Sequence, residues 1–221
     1  MRTEVPRLGW LAAFDNDFRY RVHELIALGY ADACGHIQPT DDEPTITSRI
    51  VEAIQERLDF TEEGRPLWYD KFSINDNPRV WQFGKAGKCK PQIDILIRCG
   101  TFPCPSYHFE AKRLSHPGFT AVKYTRGGGI YESFIQGTYA ARHSEVGMIG
   151  YVQSDEVVDW KGRVQKQIIT DRKLLELEGD QEDAFVHPAF PEEWLSRHRR
   201  PGLGNPITIY HILVDCTPAM G

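Results

Sequence analysis

The run Pro91-Gln-Ile-Asp-Ile-Leu-Ile-Arg-Cys99 limits the possible folds more than any other stretch. Ile93, Ile95 and Ile97 recur every second residue, the period of a β-strand. Residues 100 to 106 carry Pro103 and Pro105 and must turn. Tyr107 to Leu114 reads as a second strand. On a strand, residues two apart share a face, so Glu110 and Lys112 point the same way. A hairpin centred near Phe102 sets Asp94 opposite Glu110, with Cβ atoms roughly 4.5–5.5 Å apart. Two carboxylates that close repel one another unless a cation lies between them.

The neighbouring segments fill out an α/β pattern. Residues 15 to 30 predict a helix with Phe18, Val22, Leu25 and Ile26 on one side. Residues 43 to 58 predict a second, with Ile46, Ile50, Ile54 and Leu58 as a packed stripe and Pro44 tolerated in the first turn. Tyr69 to Ile74 predicts a strand that ends at Asn75-Asp-Asn-Pro78, and Arg79 to Phe83 continues or returns it. After Gly127-Gly-Gly129 a helix is expected from about Ile130 to His143, then a strand over Val146 to Val152. The fold class expected is α/β, a central mixed β-sheet flanked by helices, with the whole chain, 1–221, as a single domain. Its core spans about 43–152, and 155–221 forms a C-terminal extension. In that extension 176–183 reads as a solvated acidic loop and Pro206 to Val214 as a last strand. Arg197 to Arg200 form a basic cluster, either solvated or touching nucleic acid.

Composition removes several alternatives. With 41% hydrophobic and 26% charged residues, the chain can bury a substantial core. It has no apolar run near the length of a membrane span and no signal-peptide pattern over Met1 to Trp10, so a cytoplasmic protein without membrane association is expected. The cysteines at 34, 89, 99, 104 and 216 form no C-x-x-C pair, which argues against a zinc cluster. The loop Phe83 to Lys90 superficially suggests a phosphate loop, but Gln82 and Cys89 stand where that pattern needs Gly and Ser or Thr. His23-Glu24 is not a zincin motif, because position 27 is alanine. The net charge of −5 disfavours tight non-specific binding of nucleic acid by this chain alone.

Pro91-Gln-Ile-Asp94, followed after fifteen residues by Glu110-Ala-Lys112, resembles the PD-(D/E)xK nucleases, the restriction-endonuclease-like superfamily. The resemblance covers about residues 43 to 152 and includes the order of elements. Two residues separate Pro91 from Asp94, a departure from the family spacing. The resemblance implies hydrolysis of DNA phosphodiester bonds with Mg²⁺, or Mn²⁺ as substitute, leaving a 5′-phosphate. Endonuclease action is favoured, in restriction, repair, recombination or antiphage defence. It assigns catalysis to Asp94, Glu110 and Lys112, and metal binding to Asp94, Glu110 and a helix glutamate.

Glu43 suits that last place. On an ideal helix it falls near 60° from Ile46, inside the stripe, whereas Glu52 and Glu56 fall near 240° and 280°. Lys85, Lys88 and Lys90 lie among glycines just before the Asp94 strand and are expected to hold nucleic-acid phosphates. Gln136 and Tyr139 resemble the glutamine-tyrosine motif of RecB-type members, with the tyrosine three residues after the glutamine instead of four. Gln136 either touches substrate backbone or is an ordinary helix residue. The small acidic chain is expected to act as a homodimer or with a partner such as a helicase or ATPase. The rival reading is a non-catalytic nucleic-acid-binding subunit with a nuclease-like fold.

Overall fold

The computed structural model describes residues 7–61, 63–80 and 87–217. Two helices come first, α1 (Arg7–Ala33) and α2 (Glu43–Asp59). Asp42 caps α2 by accepting the Thr45 amide at 3.0 Å, and Pro44 sits where its missing N–H costs nothing. Ile46, Ile50, Ile54 and Leu58 are all buried, as their spacing requires. α1 starts earlier than its strongest periodicity, because residues 7–14 contain no proline to stop it.

Seven strands follow: β1 (Phe72–Asp76), β2 (Ile95–Cys99), β3 (Ser106–Leu114), β4 (Glu145–Val152), β5 (Leu177–Asp183), β6 (Trp194–His198) and β7 (Ile207–Asp215). They form one mixed sheet in the order β1-β2-β3-β4-β7-β6-β5. β1, β2 and β3 are an antiparallel meander, and β4 runs parallel to both β3 and β7. Helices α1 and α2 cover one face around Ile95, Ile97, Tyr107 and Phe109. The other face is covered by α3 (Ala121–Thr125), the turn Tyr131–Ile135 and α4 (Val157–Thr170), which bury Leu96, Leu114, Tyr124, Phe134 and Trp160. The fold class is therefore α/β, a mixed sheet flanked by helices.

Several expectations need correction. The strand before the first turn is Phe72–Asp76, because Leu67–Lys71 closes into a 3₁₀ turn. Ile93 does not share a face with Ile95 and Ile97. It packs with Val80 and Leu96 on the opposite side, since the strand begins only after a bend at Asp94. No long helix spans 130–143; one π-type turn, Tyr131–Ile135, stands there. Gly128 and Gly137 have φ of 91° and 73°, and a Cβ on Gly129 would lie 2.2 Å from the Tyr124 carbonyl oxygen. The segment folds back on α3 instead of extending from it.

The C-terminal part is not a peripheral addition to the sheet. β7 lies beside β4 in its interior, and the acidic run 176–183 is largely the edge strand β5, not a loop. Its charges suit an edge exposed to water. Arg197 pairs with Glu182, and Arg199 pairs with Glu176 at 3.1 Å. Arg200 is buried and donates to the carbonyls of Ala140, His143 and Asn205. The basic cluster thus holds the sheet edge and the 140–143 loop together.

Gly147 of β4 lies against the ring of Phe109, and a Cβ there would come within 2.1 Å of two ring carbons. Both residues are in the sheet interior, where added volume is poorly accommodated. Gly147→Ala should lower stability by about 1–3 kcal/mol. Urea denaturation checks this, and a change below about 0.5 kcal/mol would show that the ring moves aside freely.

Candidate functional site

The site arises where β2 ends before β3 does. The register Ile95↔Phe109, extended by one residue, brings Asp94 level with Glu110. Beyond Phe109 no residue of β2 pairs with β3, so the edge of β3 is open there. Its amides are taken by carboxylates. Ala111 N–H donates to Asp94 Oδ2 at 2.6 Å, and Arg113 N–H donates to Glu43 Oε2 at 3.3 Å. Glu43 reaches this edge because α2 begins beside it. The Lys112 ammonium donates to Glu110 Oε1 at 2.9 Å, Glu43 Oε1 at 3.0 Å and the Ala111 carbonyl at 2.6 Å. The structure thus brings Glu43, Asp94, Glu110 and Lys112 together from the start of α2, the bend before β2 and strand β3.

Three carboxylates share one lysine in a largely buried setting. Burial, reinforced by Asp94, pushes the Glu110 carboxyl up to about 8 despite Lys112. Burial also raises Asp94, against the pull of Lys112 and the Ala111 amide. For Lys112, burial favours the neutral amine, but Glu110, Glu43 and Asp94 outweigh it and hold the ammonium charged. Tyr139, half-buried, is pushed up to about 12 by burial and then by the charges of Glu110 and Asp94. Glu110 Oε2 is buried and has no hydrogen-bond partner. Leaving a buried oxygen unsatisfied costs about 1–3 kcal/mol, so it calls for a further donor or a cation. Among the described residues, no three His, Cys, Asp or Glu side chains are gathered as a metal cage by themselves. Lys112 occupies the space between Glu43 and Glu110.

Of the expected phosphate contacts, Lys85 lies outside the described residues. Lys88 is exposed, and Lys90 and Gln136 line an open cleft of 610 Å³ on the same side of the sheet as Glu110. Gln136 is not on a long helix; it follows the π-type turn and faces this cleft. Arg79, Arg98 and His108 also line the cleft, and sequence reasoning did not select them. The signal was present for His108 and Ser106. They continue the two-residue period of Glu110 and Lys112 along β3, alternating with Tyr107, Phe109 and Ala111.

No helix among the described residues is long and apolar enough to cross a membrane. Comparison with protein-family models, with curated proteins and with solved structures finds no match to this chain.

Proposed function

We propose that this chain is a divalent-metal-dependent nuclease that hydrolyses DNA phosphodiester bonds. The observation that carries this reading is Asp94, one residue past the last hairpin pair and bound to the Ala111 amide, beside Glu110, which has one oxygen buried and unpartnered and Lys112 next to it. All the acidic donors are carboxylate oxygens, the ligand type that Mg²⁺ and Mn²⁺ prefer. Asp94 and Glu110 would hold the metal, with Glu43 completing the site when Lys112 swings away from it. The metal, when bound, supplies Lewis-acid polarisation of the phosphoryl group. Lys112 orients the attacking water and offsets charge that builds on the phosphate. With such a cation bound, both Asp94 and Glu110 would be ionised, their mutual repulsion offset. The second reading is a nucleic-acid-binding module without catalysis. It is favoured by one fact: Lys112 already neutralises Glu43 and Glu110 in this arrangement.

Plasmid and single-stranded DNA incubated with the pure protein and Mg²⁺ or Mn²⁺, with EDTA as control, test the reading. Metal-dependent, EDTA-sensitive cleavage supports it. No cleavage, together with no metal binding by calorimetry, supports the module.

Glu43 provides a separate check. Its two oxygens accept from the Lys112 ammonium and the Arg113 amide, so Glu43→Gln, with a single acceptor oxygen, should keep one of these hydrogen bonds and lose the other together with the charge of the ion pair. The cleavage rate should fall about tenfold or more, a barrier higher by about 1.4 kcal/mol or more. Stability should change by less than about 1 kcal/mol, because the pair is partly exposed. An unchanged rate would remove Glu43 from the site.

A further inference from the structure

The polar face of the β2–β3 hairpin continues past the carboxylates. From Glu110 toward the start of β3 the next residues on that face are His108 and Ser106, and Arg98 of β2 is paired with Ser106. His108 and Arg98 line the open cleft, together with Arg79, Lys90 and residues of the 136–143 segment. Among the described residues, no Asp or Glu lines it. Among the described residues, no carboxylate forms an ion pair with Arg79, Lys90 or Arg98. Cationic side chains without counter-charges, around a concave surface, raise the local concentration of anions.

The histidines give an independent indication. His108 is only 6% exposed, and its Nδ1 is buried without a hydrogen-bond partner. The His143 ring lies against it, tilted by 40° with ring centroids 4.2 Å apart, and its Nδ1 is also buried and unpartnered. The other His143 nitrogen, Nε2, meets Ser106 Oγ at 2.9 Å. Adjacent buried polar atoms are rarely left unsatisfied in a site whose only task is packing. A cation is a poor occupant, since Arg98 and Lys90 would repel it.

We propose that this cleft is a phosphate-binding subsite, in which Arg98, Lys90 and a ring N–H of His108 hold one phosphate group of a nucleic-acid strand. His108 and Glu110 are two residues apart on β3, about 6.6 Å along the strand. That separation is on the scale of a single nucleotide step, so a phosphate here would fix the strand next to the carboxylates. This placement rests on the nuclease reading, whereas phosphate binding itself does not.

The test uses the full chain without metal and inorganic phosphate as the probe. Titration should shift the ring signals of His108 and His143 in NMR spectra. Arg98→Ala should weaken phosphate binding about tenfold or more, and this exposed substitution avoids the core. Single-stranded oligonucleotides with and without a 5′-phosphate then separate the two sources of the group. Tighter binding of the phosphorylated strand, lost in Arg98→Ala, assigns a terminal phosphate. Equal binding, weakened equally by Arg98→Ala, assigns an internal diester. Ring signals that ignore phosphate, Zn²⁺ binding in its place, or unchanged affinity in Arg98→Ala would overturn the inference. Phosphate binding without any DNA cleavage would leave the subsite standing and remove the nuclease reading instead.

Discussion

Alanine at Asp94, Glu110 or Lys112 should each lower metal-dependent cleavage at least about a hundredfold, the usual consequence of removing a group that stabilises transition-state charge. The three should not behave alike in other respects. Asp94→Ala removes the acceptor of the Ala111 amide and leaves that open strand edge unsatisfied, so it should also lose about 1–3 kcal/mol of stability. Lys112→Ala leaves Glu43 and Glu110 facing each other without a cation, and added Mg²⁺ should restore stability to it more than to the native chain. Glu110→Ala removes a buried carboxylate whose free oxygen has no partner, and its stability should fall least or even rise. Cleavage assays beside thermal unfolding with and without Mg²⁺ measure all of this. Full activity in any of the three would remove that residue from the proposed mechanism.

The second large effect is a dependence of stability on pH that Glu110 alone creates. In the unfolded chain its carboxyl titrates near 4.5, and in the folded protein near 8, because burial and Asp94 oppose its ionisation. Between those values the folded state holds a proton that the unfolded state has lost. The slope of unfolding free energy with pH follows protons bound unfolded minus folded, so here it is negative. The contribution of Glu110 is therefore greatest below pH 4.5, declines as pH rises, and has gone above pH 8. One proton gives a slope of at most about 1.4 kcal/mol per pH unit. The buried histidines His108, His198 and His211, lowered chiefly by burial, act in the opposite direction, so the native profile alone is ambiguous. Glu110→Gln isolates the effect. The variant should gain stability relative to the native chain steadily from pH 5 to pH 8, by several kcal/mol at the upper end. Mg²⁺ should stabilise the native chain more at pH 8 than at pH 5.5, and Glu110→Gln should lose that difference. Parallel profiles of the two proteins would show that Glu110 ionises normally in the fold.

Much of the site follows from local rules that act without knowledge of the rest of the chain. The two-residue period of a strand put Glu110 and Lys112 on one face, and the turn length put Asp94 opposite Glu110; the register found is the one that spacing implies. The 3.6-residue period of α2 separated Glu43 from Glu52 and Glu56, and Glu43 is the one that meets Lys112. These are relations between residues on one element or across one hairpin, where backbone geometry alone sets direction.

Relations across long separations were decided only by the tertiary structure. Periodicity suggested a helix over 130–143, but crowding of Gly129 against Tyr124 and the left-handed backbone at Gly128 and Gly137 turn the chain there. Charge suggested a solvated acidic loop and a free basic cluster, yet Glu182 pairs with Arg197 across two strands, and Arg200 is drawn inside to satisfy three carbonyls. A basic residue's counter-charge cannot be read from its sequence neighbours when the partner is a distant carbonyl. Likewise, nothing in the spacing of Lys112 showed that its ammonium would stand between Glu110 and Glu43, a position fixed by the end of β2 and the start of α2 meeting at one open strand edge. The sequence by itself determined which side chains could face one another. Packing of the helices against the seven-stranded sheet decided which of them share a charge, because burial makes an unpaired carboxylate costly only once water has been excluded around it.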